Sequence, residues 1–224
     1  MSNNQELAVI YQVDGIDVKL TPSIVQNYLV GSNAKISMPE FKFFTELCRA
    51  RGLNPFLKEC YLIKYGTEPA QLVVGKDAIE RRAILNPAYD GKESGIIVKS
   101  EKGEIIERKG LFYADGEEVV GGWAKVYRKD WTHPVYVSVS VKESAQKKKD
   151  GNRNQMWSTK TATMIEKVAK VRALREAFVE QLGGMYDADE MGVELPQDIP
   201  ADITPDEDVI DATGESEVVS IDEI

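Results

Sequence analysis

The spacing of hydrophobic residues changes character along the chain, and each change predicts a different element. In the first 36 residues the pattern is weak; Val9, Tyr11 and Val13 alternate and predict one short strand. Ser37 to Glu40 then reads as a capping box, with Pro39 in the first turn of a helix. Phe41, Phe44, Leu47 and Cys48 share one face of that helix, and Gly52 stands where a left-handed residue would end it. Residues 60–65 and 71–74 read as strands around a turn at Gly66 to Pro69, and residues 76–85 as a helix stopped by Asn86-Pro87. A β section follows, with candidate strands over 95–99, 104–109, 111–114, 118–128 and 135–141. Lys102-Gly103, Asp115-Gly116 and His133-Pro134 punctuate it. In the last strand Val135, Val137, Val139 and Val141 point one way and Tyr136, Ser138, Ser140 and Lys142 the other.

Residues 147–154 are too polar for a core element and read as a basic loop. A long helix follows over 161–182, ended by Gly183-Gly184. Beyond Asp189 the apolar residues are isolated among acids and prolines, which reads as a disordered or loosely attached tail. The expected architecture is α+β: a small antiparallel sheet flanked by helices, with a long C-terminal core helix and an acidic disordered tail. The expected division is an N-terminal arm over 1–36 suited to oligomer contacts, a core over 37–189 and the tail over 190–224.

Charge sharpens this division. From Tyr186 onward there are fourteen Asp and Glu and no Lys or Arg; removing them from the net charge of −9 leaves +5 on residues 1–185. Between Lys142 and Arg175 ten Lys and Arg stand against three acids. Phosphate binding depends on a local basic surface, so the acidic pI of about 4.9 does not argue against nucleic acid. No apolar run approaches the ~20 residues that span a bilayer, and the N-terminus lacks a signal-peptide pattern. The expected setting is therefore the cytoplasm, with no membrane partner. Two cysteines and one histidine suit reduced thiols and argue against a zinc site.

On the long helix Met164, Val168, Val171, Leu174, Phe178 and Leu182 fall on one arc, with Glu166, Glu176 and Glu180 on the opposite, Ala-rich side. Lys167 and Lys170 flank the arc on one edge and Arg172 on the other, while Arg175 lies inside it. A charge there needs a partner. Position alone favours a buried carboxylate or a side chain that snorkels out to water; the alternative is a phosphate, which a guanidinium grips bidentately. Lys147, Lys148, Lys149 and Arg153 form an outer basic loop, and Lys160 opens the helix. Trp123, Lys125, Tyr127 and Lys129 share one strand face beside Arg128 and Trp131. Trp157, between the loop and the helix, is a candidate for stacking on bases; packing in the core is the alternative. Gly75-Lys76 lacks the Ser or Thr and the earlier Gly of a phosphate-binding loop, so no ATP site of that type is expected. Asp187, Asp189 and Glu190 admit a second reading, a Mg²⁺-dependent nuclease, but no second carboxylate cluster accompanies them.

Residues 52–61 (GLNPFLKECY), 73–77 (VVGKD), 127–134 (YRKDWTHP), Trp157 through Met164 to Phe178, and 184–190 (GMYDADE) together resemble the RecT/Bet family of phage single-strand annealing proteins, in order and spacing. The resemblance implies ATP-independent binding of single-stranded DNA and pairing with a complementary strand to give annealed duplex. It implies rings or helical filaments of subunits, no cofactor, Mg²⁺ as at most a modulator of DNA binding, and a bacterial host cell. A phage exonuclease and a host single-strand binding protein are the further partners it suggests. Arg175 and Lys58 match family positions implicated in DNA binding, and Lys64 a third. The chain departs from the family at Ala162, Glu166 and Val168, where Lys160, Lys167, Lys170 and Arg172 would compensate.

Overall fold

A computed structural model describes residues 7–30, 34–147 and 151–191. Most of the acidic tail, Lys148 and Lys149 lie outside the described residues. The chain divides into two compact units, with the boundary between Gly75 and Lys76.

The first unit opens with the strand expected near Val9. β1 (Val9–Val13) pairs with β2 (Ile16–Leu20), and Asp14 and Gly15 both take positive φ, as a two-residue hairpin turn requires. A helical turn, α1 (Pro22–Ile24), is capped by the Thr21 hydroxyl and runs on through a wider turn over Val25–Leu29. α2 (Met38–Arg51) starts and ends where the sequence places it. Ser37 and Glu40 form the capping box, and Gly52 closes the helix at φ 56°. Phe41, Phe44, Thr45 and Cys48 form its buried face. β3 (Cys60–Ile63) and β4 (Gln71–Val74) pair as an antiparallel hairpin. The Tyr11 hydroxyl donates to the Leu53 carbonyl at 2.8 Å, and the thiols of Cys48 and Cys60 lie 3.5 Å apart, both buried and unlinked.

The second unit is a four-stranded antiparallel sheet of β5 (Tyr89–Lys99), β6 (Ile105–Lys109), β7 (Glu118–Arg128) and β8 (Val135–Ser140), in the order β6-β5-β7-β8. α3 (Lys76–Leu85) precedes it; α4 (Val141–Ser144), α5 (Gln155–Thr159), α6 (Thr161–Ala177), α7 (Val179–Leu182) and α8 (Ala188–Met191) follow. α6 lies against β7 so closely that a Cβ on Gly122 would sit 2.6 Å from the Ile165 carbonyl oxygen. Only glycine permits that approach.

Several elements differ from the sequence reading. β5 begins at Tyr89 and not near Gly95, because Lys92 and Ser94 occupy the covered face of a strand whose polar residues hide its period. Residues 111–114 form no strand, and Phe112 is exposed. The single helix expected over 161–182 is broken at Phe178, whose φ of −127° and ψ of 48° interrupt it without Pro or Gly.

Candidate nucleic-acid interface

α6 is buried on more than the expected arc. Met164, Val168, Val171 and Leu174 are covered, but so are Ile165, Ala169, Ala173 and Ala177. The Ala-rich side is the one that small side chains let approach the sheet, as the Gly122 contact shows. The cations of α6 are therefore drawn in among packed elements, and they fall into two separate groups.

The first group gathers around α8. The two terminal nitrogens of Arg175 donate to the two carboxylate oxygens of Glu190, each at 2.6 Å, and Nη1 also reaches the Met185 carbonyl at 3.3 Å. The Tyr186 ring centre lies 4.5 Å from the guanidinium carbon. Arg172 Nε is 3.5 Å from the same Glu190, and Lys167 Nζ is 3.0 Å from Asp187. Both carboxylates are almost wholly buried, at 1% and 3% side-chain exposure for Asp187 and Glu190. Asp187 also accepts the Glu190 amide, which fixes the turn that carries both acids. Burial works against the charge of Arg175, but the hydrogen bonds and charge of Glu190 outweigh it and hold its pKa above the usual arginine value. Of the two outcomes that position alone favours, the buried carboxylate is the one present. Among the described side chains, Lys167, Arg172 and Arg175 thus meet Asp187 and Glu190, and the side chain of Asp189 lies outside the description.

The second group joins α6 to β5 and α3. Lys170 pairs with Glu166 at 3.0 Å, Glu166 accepts the Ser94 hydroxyl, and Lys92 pairs with Glu80. Burial, with repulsion from Lys170 and Lys76 only partly offset by Glu166, pushes the Lys92 amine down to about 8. Lys92 is absent from the sequence-based candidates. Its place on one face with Ser94 and Ile96 follows only once the strand is extended back to Tyr89, which the polar run conceals.

The remaining candidates divide between exposed and engaged. Lys129, Lys147, Arg153 and Lys160 are exposed in the second unit, and Lys147 and Arg153 are joined by an isolated bridge across the basic loop. In the first unit Lys58 is exposed in the left-handed conformation, at φ 57°. The nearby Gly75 is needed for packing, since a Cβ there would sit 2.9 Å from the Lys58 carbonyl oxygen. Lys64 is tied to Glu40 at 2.9 Å.

The surroundings correct the stacking expectation for Trp157 and give Arg128 internal partners. Trp157 is fully buried: Asn154 caps α5 and turns the indole inward, so it presents no face for stacking. Arg128 is fully engaged. Nε and Nη2 grip Asp130 at 2.9 and 2.6 Å and Nη1 reaches the Ala177 carbonyl at 2.5 Å, so its guanidinium ties the turn after β7 to the end of α6.

Among the described residues no helix is long and apolar enough to cross a membrane, and no group of three His, Cys, Asp or Glu is placed to hold a metal ion. No curated protein matches the chain. A model of the RecT family matches residues 18–208, which takes in both units. The chain belongs to the RecT family, whose members bind DNA and anneal single strands in recombination.

Proposed function

We propose that this protein holds a single DNA strand by its phosphates along the cations of α6 and pairs it with a complementary strand, without ATP or another cofactor. The observation that carries the reading is the cluster in which Lys167, Arg172 and Arg175 converge on Asp187 and Glu190. A carboxylate that offers two oxygens to a guanidinium occupies it as a phosphate would. A strand of phosphates presents to these cations the same kind of anionic oxygens that the two carboxylates offer them. Holding the strand by its backbone leaves the base edges open to the second strand.

Within the second unit, Lys170, Lys92 and the exposed Lys129, Lys147, Arg153 and Lys160 are further phosphate contacts in this reading; Lys58 of the first unit is a separate candidate, and Lys148 and Lys149 are candidates by sequence alone. Rings or filaments of subunits, and accessory proteins such as an exonuclease or a single-strand binding protein, belong to the same proposal. The site is read as binding and not catalytic.

Annealing of two complementary oligonucleotides, one carrying a fluorophore and the other a quencher, tests the reading in the absence of nucleotide. The wild type is expected to quench the pair faster than the oligonucleotides alone. Arg175→Ala is expected to lose that acceleration while its circular dichroism keeps the wild-type shape. Acceleration undiminished in the variant would remove Arg175 from the site. Cleavage of either oligonucleotide in Mg²⁺ would replace the reading with a nuclease.

A further inference from the structure

The three tryptophans are placed very differently. Trp157 is 0% exposed and Trp123 5%, whereas Trp131 is 47% exposed in the turn between β7 and β8. Single exposed aromatics are common on protein surfaces, so exposure alone says little. What distinguishes Trp131 is the support beneath it. Its ring centre lies 4.5 Å from the guanidinium carbon of Arg128, which lies 5.0 Å from the ring centre of the buried Phe178. That guanidinium cannot swing away, because Asp130 grips two of its nitrogens and the Ala177 carbonyl accepts from the third. The Trp131 amide adds a hydrogen bond to the Arg128 carbonyl at 3.3 Å.

A core ring, a clamped planar cation and a surface indole therefore stand in contact. An aromatic on a turn would ordinarily lose side-chain freedom when a ligand lands on it; here much of that freedom is already gone. Lys129, two residues away, is exposed and directs its amine towards the Pro87 carbonyl at 3.3 Å. A flat aromatic face with a cation near it fits one element of a nucleic-acid strand, a base and its phosphate.

We propose that Trp131 is a nucleobase-stacking platform, and that Arg128 is the positioning residue that holds the indole in place for it. The proposal rests on the single-strand binding reading above and adds a base contact to its phosphate contacts.

Two readouts on the full-length protein test it, and both use a thymidine oligonucleotide as the probe. In the first, tryptophan fluorescence is expected to fall as oligonucleotide is added, and Trp131→Phe is expected to lose that fall because the remaining tryptophans are buried. In the second, anisotropy of the labelled oligonucleotide is expected to show about 5- to 150-fold weaker binding for Trp131→Ala, with Trp131→Phe recovering part of the loss. An oligonucleotide of abasic sites keeps the phosphates and removes the bases; wild type and Trp131→Ala are expected to bind it equally. Unchanged fluorescence, equal affinity of the two proteins for thymidine, or the same loss on the abasic strand would each overturn the platform. Tight binding without quenching would sink the platform alone. Absence of binding by the wild type would sink the single-strand reading with it.

Discussion

Glu190 closes on Arg175 through two hydrogen bonds of equal length, 2.6 Å each, from a carboxylate that is nearly sealed from water. The pair joins the last turn of α6 to α8, and through Glu190 it also engages Arg172. The same guanidinium that the annealing reading assigns to a phosphate is thus occupied in the unliganded chain. In that reading bound DNA displaces an internal anion, and the cost of the exchange lowers the apparent affinity.

Replacing the internal anion by its neutral isostere separates the two roles of this pair. Glu190→Gln is expected to bind an oligonucleotide at least about tenfold more tightly, equivalent to about 1.4 kcal/mol. It is also expected to unfold more easily, because breaking a buried pair costs up to about 3–5 kcal/mol. Fluorescence anisotropy and urea unfolding measure the two effects. Weaker stability with unchanged affinity would make the pair purely structural.

The close approach of α6 to the sheet gives a test of the fold itself. A Cβ on Gly122 would meet the carbonyl oxygen and carbon of Ile165 at 2.6 and 2.8 Å, and backbone atoms cannot step aside as a side-chain end can. Gly122→Ala is expected to cost about 1–3 kcal/mol in urea unfolding, the range of an overpacked core. A variant as stable as the wild type would mean that the helix rides higher on the sheet than described.

Acid stability should carry the signature of Glu40. Its hydrogen bond from Lys64, followed by those from Ser37 and the Ala70 amide, lowers its pKa from 4.5 to about 2. A carboxylate depressed in the folded state contributes stability above its unfolded pKa, and that contribution is lost as pH falls from about 4.5 towards 2. Glu40→Gln is expected to be less stable at neutral pH and to show a flatter decline over that window. Urea midpoints taken between neutral pH and pH 2 measure both; parallel curves for the two proteins would contradict the assignment.

Elements whose signals are local were legible in the sequence. α2 could be bounded at both ends because Ser37, Glu40 and Gly52 act on backbone groups within one turn of themselves. β8 declared itself by strict alternation, and α3 by the Asn86-Pro87 stop. The start of β5 was hidden because Asp90 to Ser94 look like a loop until Glu80 and Glu166 are brought to Lys92 and Ser94 from other elements. The break at Phe178 has no local breaker; there Arg128 reaches from β7 to the Ala177 carbonyl.

The candidate site divides along the same line. The sequence by itself determined that positive charge collects between Lys142 and Arg175, and that Arg175 could not sit on an apolar arc without a partner, because an unpaired charge there is too costly. Only the tertiary structure decided who the partner is. Glu190 stands fifteen residues away, beyond a helix break and two glycines, and no local pattern measures that distance. Tertiary packing likewise turned Trp157 inward and left Trp131 outside on a clamped arginine. Burial is settled by what the rest of the chain brings to a residue, and neighbours in sequence do not report it.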